Sequence, residues 1–413
     1  MPTESRPRVA WIVPSVEAGG IGPVALEIAS ASAALNCCDV TLIETHASPR
    51  RDAIEQSGLR RVALDMAGTN APASLVLDWL KDNPQDVVLS NGVSHLEGIF
   101  PYIPEATLHV AVLHDGARRY RADVLSYAQY LDGVIAISDY VYELARKDLQ
   151  AAGFPGLMRR IHNGTSYPPA PARAGSAAPL RLLFIGDMWL KGGAQLAGIA
   201  KALHRRGIDF RLTIIGDETA WLQRRLVRAG LAEKVTWLPR QARAELWRTY
   251  AAHDVLLMLT LGEGFGMVTV EAMGMGCVPV AYDVPSGTRD IVEPGISGLM
   301  VAPNRDAVAA AIAGLAPSRL ALLSVEASRR ARIKFSAERA AQAYVQFAAD
   351  LIRCRSLIRR SRLSAYPASL AAESPSRSAL VRVYHALPPS WRRRIRHAVA
   401  AHPTGAQWLR ERL

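Results

Sequence analysis

Short apolar runs alternate with longer segments of helical period along the first 150 residues. Residues 8–15 (RVAWIVPS), 39–45 (DVTLIET), 86–90 (DVVLS), 108–113 (LHVAVL) and 133–138 (GVIAIS) read as strands. Between the first two, residues 23–36 read as a helix, with Pro23 well placed in its first turn. The strands are rich in Val, Ile and Leu without polar alternation, as strands covered on both faces must be. Strands that alternate with helices imply parallel βαβ units in a doubly wound sheet. The pattern then breaks at residues 167–179 (YPPAPARAGSAAP), an aperiodic stretch with the composition of a linker. It restarts with strands at 180–185, 210–215, 235–238, 255–259 and 278–281, a helix over 193–206, and an end near Leu315. A long helix follows at 336–352. The expected fold is α/β: two Rossmann-like, doubly wound parallel-sheet lobes facing a central cleft. The expected divisions are 1–170, 180–335, the helix 336–352 and a tail over 353–413. Ligands of open α/β sheets bind beyond the carboxyl ends of the strands, so a two-part substrate is expected there.

Composition narrows the classes. The chain has 413 residues, 50% hydrophobic and 21% charged, which excludes a disordered chain and provides for two packed cores. No stretch of about 18 apolar residues predicts a membrane-spanning helix. The N-terminal residues lack the apolar region and cleavage site of a signal peptide, so a cytoplasmic location is expected. The four cysteines have no metal-ligand spacing and suit a reducing compartment. The formal net charge is +12, yet residues 352–413 alone hold thirteen Arg and two acids, leaving the rest almost neutral. A nucleic-acid-binding body would carry its basic footprint on the folded core, so no nucleic-acid partner is expected.

Four segments could carry chemistry. The strongest is EGFGMVTVE, where Glu263 and Glu271 are separated by a Gly-Phe-Gly loop and a helix start. Gly264 and Gly266 let the backbone approach a ligand closely, and paired carboxylates suit vicinal sugar hydroxyls. A solvated Glu263 and a capping Glu271 are the plainer alternative. The second segment is IGDMWLKGG, with Lys191 at a strand-to-helix junction, one of only six lysines against 43 arginines. An ammonium beside helix N-terminal amides suits a diphosphate, although an exposed helix-start lysine has the same appearance. Third, His114 in VLHDG opens a loop at the end of a strand. Fourth, Gly19, Gly20 and Gly22 precede a helix. Gly20-Ile-Gly22-Pro-Val-Ala25 satisfies a dinucleotide-binding pattern, with Glu44 ending the next strand. Five residues, Pro14 to Ala18, separate the core of that first strand from the first glycine, where a tight turn is required, so a nicotinamide-dependent oxidoreductase is only the runner-up. No D-x-D motif for a divalent-metal diphosphate site occurs, and neither a metal nor another cofactor is expected.

The run EGFGMVTVEAMGMGCVPVAYDVPSGTRDIVEPGISGLMVAP resembles the signature region of retaining glycosyltransferases of family 4 (glycosyl transferases group 1), which have the GT-B fold. It shares the E-x7-E spacing, the Gly-rich turn, the Pro-Val and the distal Ser-Gly-Leu. The resemblance implies that Glu271 holds the nucleotide ribose and Glu263 the donor sugar. It also implies that Gly264, Phe265, Gly266, Met267 and Val268 line the sugar and phosphate site. Lys191 matches the family lysine on the leaving diphosphate, and His114 a histidine that holds the sugar. The Gly19–Gly22 loop would face phosphates and acceptor. The Asn-Gly of IHNGT and the Ser of AISDY also fit the family, although Ser138 could simply cap a helix. One position departs: Asp187 stands where the family has an arginine, so Arg240 or Arg289 would have to compensate, or the protein would bind a nucleotide sugar silently.

The tail carries Trp391, Ile395 and Val399 at helical spacing among Arg392, Arg393, Arg394 and Arg396. A basic amphipathic helix of this kind suits an anionic membrane surface, and packing on the body is the alternative. The expectation is an enzyme that transfers a sugar from a UDP- or GDP-sugar to a glycan or lipid-linked acceptor, peripheral on the inner membrane face.

Overall fold

The computed structural model describes residues 6–17, 20–45, 59–64, 72–92, 97–169, 179–217 and 219–358. The chain folds into two compact units. Among the described residues, one takes in those up to Ser166 together with 335–358, and the other is Tyr167–Lys334. Most of the tail and most of the expected linker lie outside the described residues.

The first unit contains β1 (Arg8–Val13), α1 (Ile21–Ala34), β2 (Asp39–Glu44), β3 (Arg60–Ala63), α2 (Pro72–Asp82), β4 (Val87–Asn91), β5 (Leu108–Leu113), α3 (Arg118–Ser126), β6 (Gly133–Ala136), α4 (Asp139–Ala151) and β7 (Leu157–Arg160). Its strands form one parallel sheet in the order β3-β2-β1-β4-β5-β6-β7. The order reverses between β1 and β4. Central β4 and β5 are buried along their whole length, whereas edge strands β3 (RRVA) and β7 (LMRR) are half-exposed and basic. Neither edge strand was expected from the apolar pattern, because an arginine-rich strand of four residues carries no hydrophobic run to reveal it.

The second unit contains β8 (Leu180–Ile185), α5 (Leu196–Arg205), β9 (Phe210–Ile215), α6 (Ala220–Arg228), β10 (Val235–Leu238), α7 (Arg243–Ala252), β11 (Val255–Met258), α8 (Met267–Gly274), β12 (Val278–Tyr282), α9 (Thr288–Ile291), β13 (Leu299–Val301), α10 (Arg305–Ala313) and α11 (Pro317–Lys334). The sheet is again parallel, ordered β10-β9-β8-β11-β12-β13, with its reversal between β8 and β11. The helix expected over 193–206 begins instead with a 3-10 turn, Gly193–Gln195, and only then becomes α5. Gly192 at φ +81 sets that turn. The unit continues past Leu315 into α11, which buries Leu320, Leu323, Ala327 and Ala331.

The last helix, α12 (Ala337–Cys354), returns the chain to the first unit. Ser336 caps it, its Oγ accepting from the Arg339 N–H at 3.2 Å. One face of α12 buries Tyr344, Phe347 and Leu351. Tyr344 lies 4.7 Å from the Trp11 ring between centroids. Phe347 and Leu351 lie close enough to Gly133 that a Cβ there would sit 3.1 Å from them. The Asn163-Gly164 segment meets the start of this helix: a Cβ on Gly164 would fall 2.2 Å from the Ser336 carbonyl oxygen.

Candidate functional site

In an open parallel sheet, the loops leaving two adjacent strands at the reversal of order diverge and leave a crevice. In the second unit those loops follow β8 and β11. The first runs from Gly186 to Gly193 and carries Lys191. The second runs from Leu259 to Gly266 and carries Glu263. The two loops are fitted together. A Cβ on Gly192 would fall 2.1 Å from the Leu259 carbonyl oxygen, so only glycine permits this approach. Thr260 Oγ1 lies 2.6 Å from the Gly262 carbonyl oxygen and 3.3 Å from that of Leu190. Across this junction the Lys191 ammonium donates to Glu263 Oε2 in an ion pair whose side chains are 34% and 16% exposed. The structure therefore brings together the two residues that the sequence placed 72 positions apart.

The Gly264–Gly266 loop ends in α8. Gly266 adopts φ +112 and ψ +62, a left-handed conformation that redirects the chain into the helix. Phe265 is buried, so its ring anchors the loop and only its backbone can face a ligand. Met267 and Val268 open α8 half-buried. The first turn of a helix leaves amide N–H groups without intrahelical acceptors, and the macrodipole adds partial positive charge there. Thr269, in the same turn, has its Oγ1 buried with no hydrogen-bond partner among the described residues. A neighbouring loop supports this one: the Gly287 N–H donates to the Glu263 carbonyl oxygen at 2.8 Å, and a Cβ on Gly287 would fall 2.2 Å from the Gly264 carbonyl oxygen.

Glu271 lies one turn further along α8 and is 8% exposed. Its Oε2 accepts from the Tyr250 hydroxyl at 2.9 Å and its Oε1 from Arg243 Nη2 at 3.2 Å. Neither partner was anticipated. Their signal was present in the helical spacing of Arg243, Trp247 and Tyr250, which reads equally well as an ordinary packed face of α7.

Asp187 proves to be a loop-building residue. Its Oδ1 accepts the N–H groups of Trp189 at 2.8 Å and Leu190 at 2.7 Å, and its carbonyl accepts that of Lys191 at 3.1 Å. The carboxylate thus shapes the turn that presents Lys191, in the manner of an Asx turn. The two arginines considered as substitutes for the missing cation each form an ion pair on the surface. Exposed Arg240 pairs with Asp217 at 2.7 Å, and Arg289 pairs with Asp283.

The first unit repeats the topology with different chemistry. Its reversal lies between β1 and β4. His114 follows β5, and its Nε2 lies 3.2 Å from Oδ1 of Asn91 at the end of β4. Burial lowers the His114 pKa from 6.5 to about 4, so the ring is neutral at pH 7. With Nε2–H donating to Asn91, Nδ1 remains an acceptor. Gly22 is forced by packing: a Cβ there would fall 1.8 Å from the Ser15 carbonyl oxygen, whereas one on Gly20 would meet nothing within 4 Å. Gly19 lies outside the described residues. Glu44, the acid that a dinucleotide site would offer to a ribose, is fully buried. It accepts the Val16 N–H at 2.7 Å on Oε1 and pairs with Arg61 through Oε2. The carboxylate is built into the loop after β1, which removes the main support for the nicotinamide reading. Ser138 caps α4, accepting from the Val141 N–H at 3.1 Å.

Comparison with known proteins agrees with this geometry. The family model described as glycosyl transferases group 1 matches residues 179–317. The second unit belongs to that family. Its group 1 domain therefore contains both crevice loops, Lys191, Glu263 and Glu271. A GDP-mannose:cellobiosyl-diphosphopolyprenol alpha-mannosyltransferase of Xanthomonas campestris is 31% identical over 197 residues, 46% of this chain and 49% of that protein. The chain thus matches about half the length of that relative. A lipopolysaccharide 1,6-galactosyltransferase of Salmonella typhimurium is 23% identical over 274 residues, 62% of this chain and 74% of that protein. Among solved structures, sucrose-phosphate synthase from Thermosynechococcus elongatus superposes with a TM-score of 0.69 at 19% identity, covering 84% of this chain and 100% of that one. Anabaena HepE in complex with UDP and glucose gives 0.65 at 18% identity, over 84% and 100%. The group 1 domain and its companion unit thus have the two-lobed GT-B fold.

Proposed function

We propose that this protein is a retaining glycosyltransferase that moves a sugar from a UDP- or GDP-sugar to a glycan or lipid-linked acceptor. The observation that carries this reading is the Lys191–Glu263 ion pair at the β8/β11 crevice, beside the first turn of α8. In the structure each charge neutralises the other. An arriving diphosphate offers Lys191 a stronger anionic partner, and Glu263, released, accepts hydroxyls of the donor sugar. The amides of α8 take further phosphate oxygens. Glu271 accepts the ribose hydroxyls. Charge that develops on the departing diphosphate then meets an ammonium and amide dipoles already in place, which is the main source of rate acceleration. Neutral His114 holds a sugar hydroxyl through Nδ1 and does not serve as a nucleophile. Gly20 and Gly22 shape the loop of the first unit, on the acceptor side.

Two relatives have names that refer to a cellobiosyl-diphosphopolyprenol and to a lipopolysaccharide, and this favours a glycan or lipid-linked acceptor here. Among the described residues no single helix is long and apolar enough to cross a membrane. The arginines of the tail would supply a peripheral attachment to an anionic surface, worth about 1 kcal/mol for each basic residue close to it.

A nucleotide-release screen tests the reading. The full chain is incubated with UDP-, GDP- and ADP-sugars and with NAD, and free nucleotide is measured. Release of UDP or GDP that is lost in Lys191→Ala and Glu271→Ala supports it. Donor binding without release would reduce the protein to a silent binder, and a response to NAD alone would overturn the reading.

A further inference from the structure

Helix α7 grips Glu271 with two side chains from one face. Arg243 opens the helix and Tyr250 lies two turns later, so the pair projects in the same direction with Trp247 between them. The Arg243 guanidinium carbon lies 5.7 Å from the Trp247 ring centroid, and the Trp247 and Tyr250 rings meet edge to face at 5.9 Å. The Tyr250 hydroxyl donates to Glu271 Oε2 at 2.9 Å while Arg243 Nη2 donates to Oε1 at 3.2 Å. Tyr250 is fully buried. Burial first, then the neighbouring carboxylate, hold its phenol pKa well above the ordinary value, so it donates at any physiological pH. The guanidinium offsets the cost of placing a carboxylate at this depth. A carboxylate anchored through each oxygen cannot rotate about its terminal bond. Its plane is therefore fixed before any ligand arrives.

We infer that Arg243 and Tyr250 are positioning residues that hold the Glu271 carboxylate in the one orientation able to accept both hydroxyls of the donor ribose. This rests on the donor reading above and extends it from the carboxylate to the helix behind it. The bonds from α7 are the device by which a flexible three-carbon side chain becomes a rigid bidentate acceptor, so its affinity is not lost to rotamer freedom.

The test measures dissociation constants of the full chain for UDP and GDP and for their 2′,3′-dideoxy counterparts. The wild type should prefer the ribonucleotide by about tenfold or more, the size of a charge-assisted hydrogen-bond pair. Tyr250→Phe removes one bond and nearly no volume. It should bring that preference down by about five- to tenfold, with dideoxy binding unchanged within about twofold and the donor KM rising by the same factor. Arg243→Lys, which keeps the charge, should retain more of the preference than Arg243→Ala, and it provides the same readout if Tyr250→Phe folds poorly. A melting temperature that falls while the ribose preference stays intact would show a purely structural network and overturn the inference alone. A wild type that binds neither nucleotide would overturn the donor reading, and this inference with it.

Discussion

The two units have the same kind of sheet and the same reversal of strand order, but they equip their crevices in opposite ways. At the ends of β2 and β5 in the first unit, two ionisable groups are taken up by the fold. Glu44 is buried between Arg61 and a backbone amide, and His114 is held uncharged. At β8/β11 a partly exposed ammonium and carboxylate face each other. One topology thus buries Glu44 and His114 in one unit and presents a partly exposed charge pair in the other. The charge pair of the second is the feature on which the proposed diphosphate site rests.

Four changes should break or sharpen this contrast. Glu44→Gln has the largest expected effect. It deprives the buried Arg61 of its counter-ion and should cost about 3–5 kcal/mol of stability, read as a lower urea midpoint. Nucleotide affinity measured well below that midpoint should be unchanged; a selective loss of NAD or nucleotide binding would restore Glu44 as a ligand-binding acid. Next, Lys191→Ala should lower sugar transfer by roughly a hundred- to a thousandfold, as for loss of one preorganised charge stabiliser. A smaller loss, assayed as UDP or GDP release at saturating donor, would move the diphosphate away from β8/β11. Glu263→Gln should separate the two halves of the pair. Lys191, freed of its carboxylate, should bind UDP or GDP at least as tightly as before, while transfer falls by roughly tenfold or more from the loss of a charged hydrogen bond to the sugar.

The smallest effect concerns pH. His114 has its folded pKa lowered from 6.5 to about 4, so the folded state disfavours its protonation. The stability it contributes is complete above pH 6.5 and is lost as the pH falls through that value toward 4. The loss should reach about 1–3 kcal/mol over this window, less in so far as solvent reaches the partly exposed residue. His114→Gln should flatten that part of the stability profile, measured by denaturant unfolding at several pH values. An unchanged slope would mean that the ring titrates normally.

Much of this fold was legible because doubly wound sheets write their central strands as runs of Val, Ile and Leu. Residues 108–113, 180–185 and 210–215 match β5, β8 and β9 end to end. The missed strands β3, β7 and β13 all lie at sheet edges, where one side lacks a neighbour and where short or basic sequences suffice. In the candidate site, Lys191 and Glu263 were legible because glycines mark the loops that present them. Asp187 was misleading. Its charge looked like a defect beside a phosphate site, because nothing in residue identity distinguishes a carboxylate facing a ligand from one turned onto two amides of its own loop. Arg243 and Tyr250 were invisible for a related reason. Their role depends on a contact between two helices, and their spacing is that of any amphipathic helix.

The path of the backbone has a consequence for how this molecule is made. Among the described residues the group 1 unit is one continuous stretch, Tyr167–Lys334, and that stretch can begin to close its core once it has left the ribosome. The unit that begins first cannot. Until α12 is synthesised, the surfaces beside Trp11 and Gly133 lack Tyr344, Phe347 and Leu351, so strands translated before the group 1 unit are completed only after it. A ribosome that stalls between the two would leave an open, aggregation-prone half beside a finished one.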